Sequence, residues 1–272
     1  MKIIDTHVHT TFSFDGENNP REMVEKALES GLHALTFTDH VDANDYYNPH
    51  YRNSELIPLA AREIPPLKDE YAGRIRLGFG MEIGQFLHNS ALVKQLIGEF
   101  KLDYIIGSTH STKNYDDYYG LDFSDPTINH LDLLREYFEE VLEMVENADI
   151  DVIGHLTYPL RRITGKYKIP VDMNVYTENI REIFKAAALR GIGLEINTGG
   201  LRNPDYLQAE PGLEYAKMFR EAGGEIITIG SDAHRISDLA ANFKEGTEIA
   251  KAAGFTRIAY YEKRKPIFTE ME

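Results

Sequence analysis

Seven times along this chain a short apolar run gives way to a polar segment and then to a helical pattern. That alternation limits the open folds more than any other feature. The runs fall at residues 3–4, 34–38, 74–80, 104–108, 151–154, 193–196 and 225–230. Short, uniformly apolar strands separated by helices belong to parallel sheets buried on both faces. Helical spacing is read at residues 20–30, with Pro20 at the start and Gly31 at the end, and at 91–100, with Asn89 or Ser90 as cap. Further helices are read at 131–147, at 175–189 (stopped by Gly191), at 213–222 (closed by Gly223 and Gly224) and at 239–253. The region around Pro65 and Pro66 reads as irregular, with a short helix at 68–71, and residues 257–268 read as an edge strand or hairpin. No linker or low-complexity stretch divides the chain, so one α/β domain over residues 1–272 is expected. Seven such units point to a closed or nearly closed (β/α) barrel, in which the loops after the strands share one rim.

Composition narrows the chemistry. The formal net charge of −15 repels a phosphate backbone at long range, which argues against long nucleic acid as a partner. No apolar run approaches the roughly 20 residues needed to span a bilayer, so no membrane partner is expected. Cysteine is absent, which removes both disulfides and thiolate ligands and leaves imidazole and carboxylate to bind a metal. With no signal-peptide pattern at the start, a cytoplasmic location is expected.

Ile3 and Ile4 lead into Asp5, His7 and His9, which alternate with the strand period of two and share one side. Asp15 follows. The same pattern recurs: His40 after the second run, Glu82 after the third, His110 after the fourth, His155 after the fifth, and Asp232 with His234 after the seventh. Six of the ten histidines thus sit just past a strand end, while His33, His50, His88 and His130 do not and are read as surface or loop residues. Six imidazoles and three carboxylates exceed the four ligands one zinc takes. They suit two or three divalent ions, a cluster able to activate water and clamp both oxygens of a phosphoryl displacement.

Together, Asp5-x-His7-x-His9 with Asp15, Thr38-Asp39-His40, Gly80-x-Glu82, Ser108-x-His110, Gly154-His155 and Gly230-Ser231-Asp232-Ala233-His234 resemble the PHP (polymerase and histidinol phosphatase) superfamily. Leu194-Glu195-Ile196-Asn197-Thr198-Gly199-Gly200-Leu201-Arg202 and Lys263-Arg264-Lys265-Pro266 are similar to its histidinol-phosphatase branch, and the likeness runs from Met1 to about Phe268. The resemblance implies a distorted (β/α)7 barrel with a trinuclear site of zinc, iron or manganese. It implies His7, His9, Glu82 and Asp232 on one ion, with Glu82 bridging to a second held by His110 and His155. Asp15, His40 and His234 would hold the third. Asp5 and Asp39 would orient imidazoles.

Phosphate needs further cations, and Arg161, Arg162 and Arg202 lie in loops on the expected rim. Glu195 and Asn197 are there too, as substrate contacts, as support for the ligands or as part of the core. The reaction implied is hydrolysis of a small phosphate monoester, L-histidinol phosphate, by a metal-bridging hydroxide. Asp232 or His234 would handle the proton, with Glu82 as the catalytic bridge. Two readings stay open at this stage: a related phosphoesterase acting on nucleotides or short oligonucleotides, and an accessory domain that binds metal without turnover.

Overall fold

The structure, a computed structural model, describes residues 2–271; Met1 and Glu272, the ends of the expected 1–272 domain, lie outside the described residues. β1 (Ile3–Val8) pairs in parallel with β2 (Leu32–Phe37). β3 (His40–Asp42) follows β2 after a two-residue break at Thr38 and Asp39. Both lie along β4 (Arg76–Gly84), where Phe37 faces Phe79 and His40 faces Glu82, so β2 and β3 fill one barrel position. β5 (Tyr104–Ser108), β6 (Val152–Ile153), β7 (Gly193–Asn197) and β8 (Ile227–Gly230) continue the parallel order. The ring closes where Asp232 N donates to His7 O and His9 N to Ala233 O, both at 2.9 Å. Seven strand positions and a closing contact make the expected distorted (β/α)7 barrel.

The helices form where their apolar spacing meets the sheet. α1 (Pro20–Glu29) starts with a reciprocal Asn19–Glu22 cap and buries Met23, Val24 and Ala27. α2 (Asn53–Glu70) departs from the sequence reading, since it runs through Pro58, Pro65 and Pro66 as one helix. Its stripe Leu56, Ile57, Ala60, Ile64 and Leu67 is buried, and that burial outweighs the lost backbone bonds. α3 (Ser90–Glu99) and α4 (His130–Asn147) fall where the spacing puts them. α5 (Tyr158–Leu160) opens a helical segment that continues through Lys166, where the sequence reading has a loop. After α6 (Thr177–Arg190) come the single turn α7 (Gly199–Arg202), α8 (Leu213–Glu221) and α9 (Phe243–Ala252). β4 also extends past its expected end, because β3 and β5 pair with it on both sides as far as Gly84; Glu82 therefore sits on the strand rather than after it. None of the described helices is long and apolar enough to cross a membrane.

The expected hairpin is a separate antiparallel pair, β9 (Arg257–Glu262) and β10 (Lys265–Glu270), across the end where the strands begin. Ala259 and Tyr261 bury against Tyr104, Ile106 and Val152. Lys263 N donates to Asp103 Oδ1 at 3.0 Å, and Arg264 Nε donates to the buried Asp151 Oδ2 at 2.6 Å. The other rim stays free for chemistry. Arg264→Ala removes the cation beside the buried Asp151 carboxylate, leaving it the Ile105 N–H, and is expected to cost about 1–3 kcal/mol. Urea unfolding should show a lower midpoint with an unchanged slope. An unchanged midpoint would show that this ion pair does not hold the hairpin.

Candidate metal centre

Strand alternation does place His7 and His9 on one side, and their Nε2 atoms meet carboxylates from opposite walls. His7 Nε2 lies 3.3 Å from Glu82 Oε2 and 3.7 Å from Asp232 Oδ1. His9 Nε2 lies 3.5 and 3.3 Å from the same two oxygens. The other Glu82 oxygen, Oε1, faces His155 Nε2 at 2.7 Å and His110 Nε2 at 3.2 Å. A third group forms beside these: Asp15 Oδ2 lies 3.1 Å from His234 Nε2 and 3.7 Å from His40 Nε2, while His40 Nδ1 is 2.9 Å from Glu82 Oε2. The His9 ring stacks between His40 and His234, with centroids 4.2 and 4.1 Å away. All nine residues expected as ligands therefore gather around one carboxylate.

Three of the imidazoles are turned by a partner behind them. His7 Nδ1 sits 2.7 Å from Glu195 Oε1, His9 Nδ1 3.1 Å from Ser13 Oγ, and His110 Nδ1 3.1 Å from Asp42 Oδ1. Asp5 and Asp39, expected to orient imidazoles, touch none directly. Asp5 accepts from Ser231 N, Ser231 Oγ and Ala240 N and so ties β1 to the loop after β8. Asp39 accepts from Thr10 N at 2.6 Å and from Ser13 Oγ at 2.9 Å, and reaches His9 only through that serine. Asp232 adopts a left-handed backbone with φ of 56°, a rare conformation that turns its carboxylate toward His7 and His9.

The charges push these groups apart. Burial and the neighbouring His234 and His40 drive His9 down to about 3, so it stays neutral and keeps a lone pair. Burial also opposes charge on His110, yet Glu82 and Asp42 outweigh it and raise the group to about 10. For Glu82, burial favours the acid, but His7, His40 and His110 hold it well below the carboxylate range.

Divalent cations fit these donors. His7 Nε2, His9 Nε2 and Glu82 Oε2 are buried without a hydrogen-bond partner, and they lie within 4.8 Å of one another. Buried polar atoms left unpaired cost free energy that coordination would recover. A neutral imidazole and ionised carboxylates are the forms a metal takes.

The arginines occupy different positions. Arg161 is half-buried beside the rim, with Nε 3.0 Å from Glu210 Oε1 and Nη2 3.7 Å from Asp232 Oδ2. Its Nη2 also donates to Glu210 Oε2. Arg202 reaches across from α7, donating to Ser231 O at 2.7 Å and Asp232 O at 3.1 Å. Arg162 lies over the Tyr119 ring at 4.6 Å and the Tyr167 ring at 5.7 Å, clamping the 114–125 loop rather than joining the carboxylate cluster. Asn197 is enclosed: its Oδ1 accepts from Gly199 N at 2.8 Å and its Nδ2 donates to Glu195 Oε2 at 3.3 Å. Sequence reasoning missed Glu210, which lies in a Pro-Gly turn and meets Arg161 only through the fold. It also missed Ser13, a small hydroxyl with no spacing signal, and it read Ser108 only as part of the Ser108-x-His110 motif, whereas Ser108 Oγ donates to Glu82 Oε1 at 2.7 Å.

The PHP domain family model matches residues 5–199. A curated histidinol-phosphatase of Lactococcus lactis is 31% identical, covering 97% of this chain and 96% of that one. A second, from Bacillus subtilis, is 27% identical over 88% of this chain and 96% of its own. A Lactococcus lactis crystal structure of histidinol phosphate phosphatase, complexed with zinc, L-histidinol and phosphate, superposes with a TM-score of 0.84 at 28% identity. It covers 98% of this chain and 99% of that chain. On the matched model and the full-length likeness, this chain belongs to the PHP domain family.

Proposed function

We propose that this chain is a metal-dependent phosphomonoesterase that hydrolyses L-histidinol phosphate to L-histidinol and phosphate, with residues 1–272 acting as one phosphoesterase domain. The observation that carries it is the gathering of six imidazoles and three carboxylates in one cluster, five of the imidazoles on the two oxygens of Glu82, among relatives named for this reaction. A cytoplasmic site of action belongs to the same reading and is supported by the absence of cysteine.

In this reading His7, His9, Glu82 and Asp232 hold one divalent ion, Glu82, His110 and His155 a second, and Asp15, His40 and His234 a third. Ions so held supply Lewis acidity toward phosphate oxygens and make water more acidic. The chain's own residues do the rest. Arg161 is aimed by Glu210 and presents its guanidinium beside Asp232, where terminal phosphate oxygens would lie. Arg202 spends one N–H of each Nη on the loop carbonyls, which leaves its second pair to phosphate. Asp232 turns Oδ1 to the histidines and Oδ2 to Arg161, and Oδ2 takes the proton of the attacking water. His234, the least enclosed imidazole of the group, serves the leaving alkoxide. Arg162 and Asn197 act on substrate indirectly, through the loop and the turn they hold.

Three outcomes test this. Phosphate release by metal-loaded protein should be greatest, in kcat/KM, with histidinol phosphate, and poor with diesters, whose second ester group has no place between the arginines. A nucleotide or diester ahead by about tenfold, about 1.4 kcal/mol of transition-state preference, would overturn the substrate assignment. Glu82→Gln should remove most activity and lower bound metal, whereas His33→Asn, at the far end beside Tyr260, should do neither. Arg202→Ala should cost about 2–4 kcal/mol of transition-state stabilisation, or about 30- to 1000-fold in kcat/KM, with metal content unchanged. Normal kinetics in that variant would remove Arg202 from the phosphate site, and lost metal would make it a support of the Asp232 loop alone.

A further inference from the structure

The first and second rim loops meet in an aromatic cluster that the hydrolytic chemistry does not use. Phe14 precedes Asp15 in the chain, yet its ring is 42% exposed, unusual for a large apolar side chain beside a buried polar cluster. It leans on His40 with centroids 5.7 Å apart and receives the edge of Tyr51 at 4.6 Å and 80°. His50 closes the group, 4.9 Å from Tyr51 and 6.4 Å from Phe14. His50 thus belongs to the mouth of the site, although the sequence reads it as a plain loop residue.

We infer that Phe14 and Tyr51, backed by His50, form the wall that recognises the leaving group, and that they select phosphate esters of alcohols carrying an aromatic ring near the ester. The inference rests on the phosphatase reading and goes beyond it to substrate choice. A phosphorus held over the His40 and Asp15 group must send its ester oxygen outward past this ring, because the Arg161 side is filled by Glu210 and by Tyr158, which stands 5.5 Å from that guanidinium. The exposed Phe14 face is then the surface available to a planar group. Burial, followed by Asp45, Asp117, Asp42 and Asp116, holds the Tyr51 phenol above its ordinary range, so carboxylates crowd this side. A wall of rings with acidic neighbours favours an aromatic leaving group that also carries positive charge.

Ring-bearing and ring-free esters separate this role from a structural one. With metal-loaded wild type, Phe14→Ala, Phe14→Leu and Tyr51→Ala, kcat/KM is measured for histidinol phosphate, 3-phenylpropyl phosphate and propyl phosphate. Wild type should prefer both ring esters to propyl phosphate. Phe14→Ala should reduce that preference about 3- to 10-fold, the size of one aromatic contact, mostly through KM and at constant metal content. Phe14→Leu should fall between, and Tyr47→Ala, on the exposed side of the same loop, should leave the preference intact. An equal loss on all three esters, or an unchanged preference, overturns the inference. Should wild type ignore histidinol phosphate but cleave 3-phenylpropyl phosphate, the functional reading fails, while the phenylpropyl-to-propyl ratio still decides the wall.

Discussion

One buried carboxylate sets the conditions for everything on the rim. Glu82 is almost wholly enclosed, with two imidazoles on one oxygen and three on the other. Taking an ionised carboxylate out of water costs several kcal/mol unless opposite charge is supplied. Protons can supply part of it, and His7, His40 and His110 are held above their ordinary range, against the pull of burial, by Glu82 and by their other carboxylates. They cannot supply all of it, because His9 is squeezed between His40 and His234 and stays neutral. Divalent cations resolve the conflict: they compensate the carboxylates and use the imidazole lone pairs at once.

The barrel exists in the form that brings those walls together. Glu82 lies inside β4, clasped by β3 through His40 and by β5 through Ile106. The two-residue break before β3 frees Asp39 to gather Thr10 and Ser13, and through Ser13 to steady His9. Asp5 performs the matching task at the seam, holding the Ser231 loop against β1 so that Asp232 faces the histidines. At Gly230 an added Cβ would come within 2.2 Å of Glu195 Oε1 and 2.4 Å of His7 Cβ. Glycine there lets the strand approach closely enough for Glu195 to orient His7.

Much of this was legible in the chain because it is local and periodic. The period of two after Ile3 and Ile4 forecasts that His7 and His9 face one way, and they do. Repetition of a polar ligand at successive strand ends forecasts a shared rim. Contacts between distant segments left no such trace. Nothing near Glu210 marks it as the partner of Arg161, and Asp42 looks like any loop acid until β3 forms and turns it to His110. The prolines of α2 misled for a related reason: local propensity opposes that helix, while burial against the barrel decides it.

The central claim is that Glu82 lies between at least two metal ions. Anomalous diffraction from crystals of metal-reconstituted protein, collected above and below the absorption edge of the added metal, tests it directly. Two or three peaks are expected, with one on each side of Glu82 within about 2.0–2.2 Å of its oxygens if the ion is zinc. A single peak, or peaks that leave Glu82 uncoordinated, would contradict it.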